Sequence, residues 1–153
     1  MTQTTGFTGI GTLLKMGDGA SPEVFSSVAN VTNLSAPQTA GEVDATHLAS
    51  TSGYREYKQG FKDSTVSGTL HFDPDNTTHD DSSGIMAAFV AGTSKNFKLD
   101  FSAADNNGSG KPATDPIMSF SGVFTELSLN VDENMVTASF SIRLSSAPTW
   151  GAT

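Results

Sequence analysis

The chain has 153 residues, enough for one domain that buries a single core, and it contains no Cys, which excludes disulfides and thiolate metal sites. Lys and Arg total 8 against 16 Asp and Glu, a net charge of −8 that speaks against wrapping phosphates, because that mode of binding needs a basic surface to release counterions. Only 16% of residues are charged while Ser and Thr number 39 and Gly 15, a composition of short strands and tight turns.

The first ten residues, MTQTTGFTGI, are polar and without period, and are expected to form a flexible arm (residues 1–10). They hold no apolar run of the signal-peptide kind, and no stretch approaches the ~18 apolar residues of a membrane span, so synthesis and folding in the cytoplasm, away from any membrane, is the expectation.

Residues 12–16 read as a short strand stopped by the turn cluster Gly17-Asp18-Gly19-Ala20-Ser21-Pro22. Residues 24–34 read as a second strand with Phe25, Val28, Val31 and Leu34 apolar, its uneven spacing indicating a bulge. Residues 42–46 alternate, with Val43 and Ala45 on one side and Glu42, Asp44 and Thr46 on the other, as a half-buried strand does. Residues 65–73 repeat the pattern, Val66, Gly68, Leu70 and Phe72 opposing Thr65, Ser67, Thr69 and His71. Between these strands lies the one basic segment, STSGYREYKQGFK, with Tyr54, Arg55, Tyr57, Lys58, Phe61 and Lys62, longer than a plain connection needs.

A helix is expected over residues 80–90, with Asp80, Asp81 and Ser82 at its N-terminus, Ile85, Met86, Phe89 and Val90 as its apolar stripe, and Gly92 closing it. Residues 95–102 return to strand with Phe97, Leu99 and Phe101 inward, and residues 104–116 read as a surface loop. The last two strands pair as a hairpin turning at Val131-Asp132-Glu133-Asn134. The register that best sorts apolar from polar sets Leu129 opposite Val136, Leu127 opposite Ala138, Thr125 opposite Phe140 and Val123 opposite Ile142. The other face then carries Glu126, Ser128, Thr137, Ser139, Phe124 and Arg143. Trp150 sits in a C-terminal tail (residues 147–153), either capping an edge or anchoring into an adjacent subunit.

Catalytic and metal patterns fail on inspection. His71, Asp73, Asp75, His79 and Asp80 cluster in sequence, but Thr78 and Gly84 stand where a calcium loop needs Gly and Glu. Gly108-Ser109-Gly110-Lys111 lacks the first Gly and the final Ser or Thr of a phosphate loop. No Gly-x-Ser-x-Gly motif is present, so neither an enzyme nor a cofactor is expected.

The segment GEVDATHLASTSGYREYKQGFKDSTVSGTLHFDP, then one short helix, then FSGVFTELSLNVDENMVTASFSIRL resembles the major tail tube proteins of long-tailed phages, a group related in fold to contractile-tail and type VI secretion tubes. The resemblance runs from residue 11 to residue 146. It implies a single mainly β domain, a β-sandwich or barrel-like unit with one flanking helix, six copies to a ring, and four strands per copy in a continuous inner barrel. The two-faced strands supply the candidates for the channel lining: Glu42, Asp44, Thr46, Thr65, Ser67, Thr69, Glu126, Ser128, Thr137 and Ser139. Six chains at −8 give −48 per ring, which repels phosphates and lets DNA slide without specific binding. Arg143 on the polar face then needs a carboxylate partner or a place at a subunit seam.

The resemblance further implies an inter-ring loop over residues 47–63, carrying Tyr54, Arg55, Tyr57, Lys58, Phe61 and Lys62, with Trp150 as a terminal anchor. Implied partners are further copies of the chain, a tape measure protein inside the tube, and tail tip and terminator proteins at its ends, all in a virion tail. The tube of a contractile injection or secretion device is an alternative. A carbohydrate-binding or adhesin β-sandwich is a second, thinly supported by one Trp and two Tyr.

Overall fold

The computed structural model describes residues 12–49, 53–101 and 116–152. The expected arm at residues 1–10 and the expected loop at 104–116, apart from Pro116, lie outside them. Among the described residues nine strands and one helix follow in the order β1 (Leu13–Gly17), β2 (Phe25–Ser27), β3 (Val31–Ser35), β4 (Gln38–Asp44), β5 (Tyr57–His71), α1 (Ile85–Ala91), β6 (Lys95–Asp100), β7 (Pro116–Val131), β8 (Val136–Leu144) and β9 (Thr149–Ala152). All the strands join one sheet in the order β2-β1-β6-β7-β8-β5-β3, with β4 also on β5 and β9 also on β7, and every pairing is antiparallel.

Two long strands organise this sheet. The first half of β7 pairs with β6 and β9, its second half with β8, so one strand runs through both halves of the fold. Likewise β3 and β4 follow one another along the same edge of β5. Side chains from both halves meet in one core: Leu14 and Met16 of β1 and Phe97 and Leu99 of β6 join Val66, Leu70, Phe140 and Ile142 of β5 and β8. Phe97 stacks on Phe120 at 5.4 Å and meets Phe124 edge-on at 5.6 Å, and Phe124 meets Phe140 at 6.2 Å, so an aromatic chain ties β6, β7 and β8 together. Such rings dominate core energetics; truncating one to Ala costs about 3–5 kcal/mol.

Several expectations are corrected. The single strand over 24–34 is two strands, because Asn30 takes a left-handed conformation (φ 58) and the chain passes from β1 to β5 between them. The β7–β8 register is Leu129↔Ala138 and Leu127↔Phe140, slipped by two residues from the expected pairing, so the outer faces survive. A bulge between Phe124 and Glu126 then changes the register, buries Phe124 against Ile142 and sets Val123, not Gly122, opposite Arg143.

The helix begins at Ile85 rather than Asp80. Asp80 Oδ1 accepts the amide hydrogens of Ser82, Ser83 and Gly84 at 3.2, 2.8 and 2.9 Å, which holds residues 80–84 in a tight turn. Ile85 and Ala88 form the buried stripe, while Phe89 and Val90 are exposed; the small Ala88 side lets α1 lie close on β7. Gly92 ends it with φ 64, as expected of a left-handed cap. His79 is fully buried. Its Nδ1 accepts the Asp73 amide hydrogen at 3.1 Å, its Nε2 lies 2.8 Å from the Ala29 carbonyl oxygen, and its ring stacks on Phe72. Among the described residues no group of His, Asp and Glu is placed to hold a metal.

Candidate functional site: a polar sheet face and a projecting arm

Strands β3, β5, β8 and the second half of β7 form a four-stranded patch whose two faces differ sharply. Inward, Val66 and Leu70 of β5, Ala138, Phe140 and Ile142 of β8, and Phe124 of β7 enter the core. Gly68 shares that inward face, and it must be glycine: a Cβ there would run into the Asn33 carbonyl oxygen and lie 3.0 Å from the Phe140 ring.

Outward, cross-strand partners assemble in rows. One row is Ser35, Ser67, Ser141 and Glu126; the next is Asn33, Thr69, Ser139 and Ser128; the third is His71, Thr137 and Asn130. Thr65 and Arg143 continue the face toward the other end. The surface is shallow, with a depression of about 290 Å³ bordered by Asn33, Ser67, Glu126 and Ser139. Thr32 and Thr69 hydroxyls meet at 3.0 Å. Arg143 Nη2 donates to Asp63 Oδ2 at 2.7 Å, so the guanidinium on this face has its carboxylate partner.

Seven of the ten expected lining residues thus lie together: Thr65, Ser67, Thr69, Glu126, Ser128, Thr137 and Ser139. Glu42, Asp44 and Thr46 do not join them. β4 pairs with β5 at residues 57–64, and its register places Glu42 and Asp44 on the side shared by Ser64 and Val66, opposite to Thr65. Asn33 and Ser35, which had escaped notice, take the fourth strand's place, because an irregularity between Val31 and Asn33 hides their alternation. On this face Glu126 is the one carboxylate without a cationic partner among the described residues. The chain's negative charge sits mainly elsewhere, at Asp73, Asp75, Asp80 and Asp81 before the helix, at Asp132 and Glu133 in the β7–β8 turn, and on the arm.

That arm is the β4–β5 hairpin. The basic segment expected as a loop is strand from Tyr57 onward, so Tyr57, Lys58 and Lys62 have ladder positions and Phe61 falls in a bulge between them, whereas Tyr54 and Arg55 lie in the tip. The tip is held by a reciprocal contact: the Glu56 amide donates to Thr46 Oγ1 at 2.9 Å and the Ala45 amide to the Glu56 carbonyl at 2.8 Å. Thr46 side-chain and backbone donors hold the Asp44 carboxyl below its ordinary range, with Arg55 3.7 Å away. All seven residues of β4 are exposed, contrary to the half-buried expectation, because no layer covers the hairpin within one copy. A bulge at Ala40/Glu42 sets Val43, Lys58 and Phe61 on one side, where Phe61 is 98% exposed. At the base, a groove of about 430 Å³ separates the arm from residues 144–148.

Trp150 lies on β9 opposite Met118, caps the edge of β7 and stacks on Phe101 at 6.1 Å.

The model of the phage tail tube protein family matches residues 7–149. Among solved structures, the chain is similar to the tail of an empty gene transfer agent particle determined with C6 symmetry, at 20% identity and a TM-score of 0.73, covering 96% of this chain and 100% of that one. It is also similar to a chain in the virion of the native gene transfer agent particle (19% identity, TM-score 0.72, covering 96% and 100%). A third likeness is to the SPP1 tail tube (11% identity, TM-score 0.70, covering 97% and 80%). Comparison with curated protein sequences finds no match. With the family model spanning nearly the whole chain and the fold shared with assembled tails, the chain belongs to the phage tail tube protein family and is a structural protein of the virion tail.

Proposed function

We propose that six copies close into a ring whose inner wall is the polar face of β3, β5, β7 and β8, and that stacked rings form a channel through which DNA passes. The observation that carries this reading is the pair of open edges on that patch. The outer edge of β3 and the edge of β7 beyond Gly122 have no strand partner among the described residues, and exposed edges are templates for pairing. Successive strands alternate in direction across the patch, so β7 of one copy laid beside the neighbour's β3 continues the antiparallel order. Repeating that contact around a rotation axis buries both edges and turns one uniform face inward.

The wall this produces is lined with hydroxyls and amides and has one unpaired carboxylate per copy, Glu126. Within this four-stranded patch its slipperiness rests less on bulk acidity than on the pairing of its one guanidinium among the described residues: Arg143 is neutralised by Asp63 and so is not left to grip a phosphate. The arm reaches a neighbouring ring. A tape measure protein within the channel and tip and terminator proteins at the ends complete the tail.

Negative-stain microscopy of the purified chain tests the assembly. Rings or tubes with a stained central channel are expected; a strict monomer at high concentration, never forming either, overturns the reading.

A further inference from the structure

Strand β5 runs fifteen residues from Tyr57 to His71 and is therefore roughly 45–50 Å long. Its two ends carry different unsatisfied surfaces. At the first end is the arm, where Phe61 is 98% exposed and Lys58 shares its side of the hairpin. At the other end His71 pairs with Thr137 and Thr137 with Asn130, which puts the β7–β8 turn there. In that turn Val131 is 77% exposed and Met135 50%. Exposed apolar side chains of this size, gathered at both ends of one molecule, mark contact surfaces.

Charge separates the ends further. Lys58 and Lys62 have no ion-pair partner among the described residues, and neither do Asp132 and Glu133. On Phe61's side of the hairpin the unpaired charge is therefore the Lys58 cation, since Lys62 and the equally unpaired Glu42 lie on its other side, whereas the far end carries unpaired carboxylates beside its aliphatic and thioether surface. Two complementary patches at opposite ends of one molecule make a head-to-tail contact, which repeats without closing and builds a filament along the line joining them. That line is the direction of β5.

We infer that the β7–β8 turn is the receiving surface for the arm of a second copy in the adjoining ring, with Phe61 seated against Val131 and Met135 and with Lys58 facing Asp132 and Glu133. This rests on the ring-stack reading above and adds to it which surface of the next copy the arm meets. The contact has an apolar centre and a charged rim, so the charges set register and the aromatic anchor supplies burial.

Charge exchange tests it on the full chain. Lys58→Glu, or Asp132→Lys with Glu133→Lys, should each raise the protein concentration needed for tube formation by about tenfold or more, while circular dichroism reports an unchanged fold. Combining all three substitutions should bring that concentration back toward the wild-type value. Because the chain contains no Cys, a Phe61→Cys, Val131→Cys variant should also give a ladder of disulfide-linked multimers on oxidation, and either single variant no more than dimers. If wild-type tubes form and both charge variants match them, with no ladder from the double-Cys chain, this inference is overturned and the ring stack stands. A wild-type chain that stays monomeric overturns both.

Discussion

Arg143 on β8 and Asp63 on β5 meet across the polar face at 2.7 Å, with Asp63 two residues along β5 from Arg143's register partner Thr65 and at the root of the arm. The two side chains are 64% and 49% exposed, so the pair adds at most about 1 kcal/mol to stability. Its larger consequence is electrostatic and asymmetric. Asp63→Ala frees six guanidinium groups per ring in the proposed channel and should slow DNA release from particles, whereas Arg143→Ala removes the cation and should not. Melting temperatures should barely move in either variant. Equal release kinetics for the two would contradict the channel placement.

Gly68→Ala should destabilise the fold by about 1–3 kcal/mol, because the added methyl meets the Asn33 carbonyl and the Phe140 ring together and cannot relieve one without pressing the other. β3 is the strand that must move. A urea titration measures the loss, and an unchanged midpoint would show that β3 is not packed as described.

His79→Ala should cost about 2–4 kcal/mol, since it removes a buried ring and strips partners from the Asp73 amide and the Ala29 carbonyl. Both ring nitrogens are committed to backbone groups, so added zinc should leave the wild-type melting temperature unchanged. A zinc-dependent rise would reopen the metal reading of residues 71–80.

The Asp80 carboxyl is held at about 2, below its ordinary 3.8, chiefly by the Ser83 amide and the Ser82 hydroxyl, with the Gly84 and Ser82 amides adding to this. A lowered pKa means that the folded state favours the carboxylate. The stabilisation is therefore fully present above pH 3.8 and is lost as pH falls through about 2. Carbon-13 titration of this carboxyl should give a midpoint near 2 in the folded chain, and Asp80→Asn should flatten the acid limb of stability over that interval. A folded-state midpoint at 3.8 would mean that the 80–84 turn does not form as described.

Much of this architecture was legible because strands with one buried face write their period into the sequence. Val66, Leu70 and Ala138, Phe140, Ile142 announced β5 and β8 and their polar reverse sides. Gly92 announced the helix end through its conformational freedom. Alternation fails where a bulge intervenes. At Thr125 it moved Phe124 from the expected polar face into the core, and between Val31 and Asn33 it concealed the fourth strand of the polar face. The arm was misread for a related reason: residues 57–62 are exposed on both sides within one copy, so burial imposed no alternation that a strand assignment could use.

By itself, then, the sequence determined the class of fold, the identity of most of the two-faced strands, the net negative charge, and the basic segment that stands apart. Local periodicity and composition carry those properties, and each is written within a few neighbouring residues. Only the tertiary structure decided which strands lie side by side, that Glu42 and Asp44 leave the polar face while Asn33 and Ser35 join it, and that Arg143 finds Asp63 from 80 positions away. Register and partner choice are long-range: a single extra residue in one strand turns every later side chain to the opposite face, and nothing in the local pattern records it.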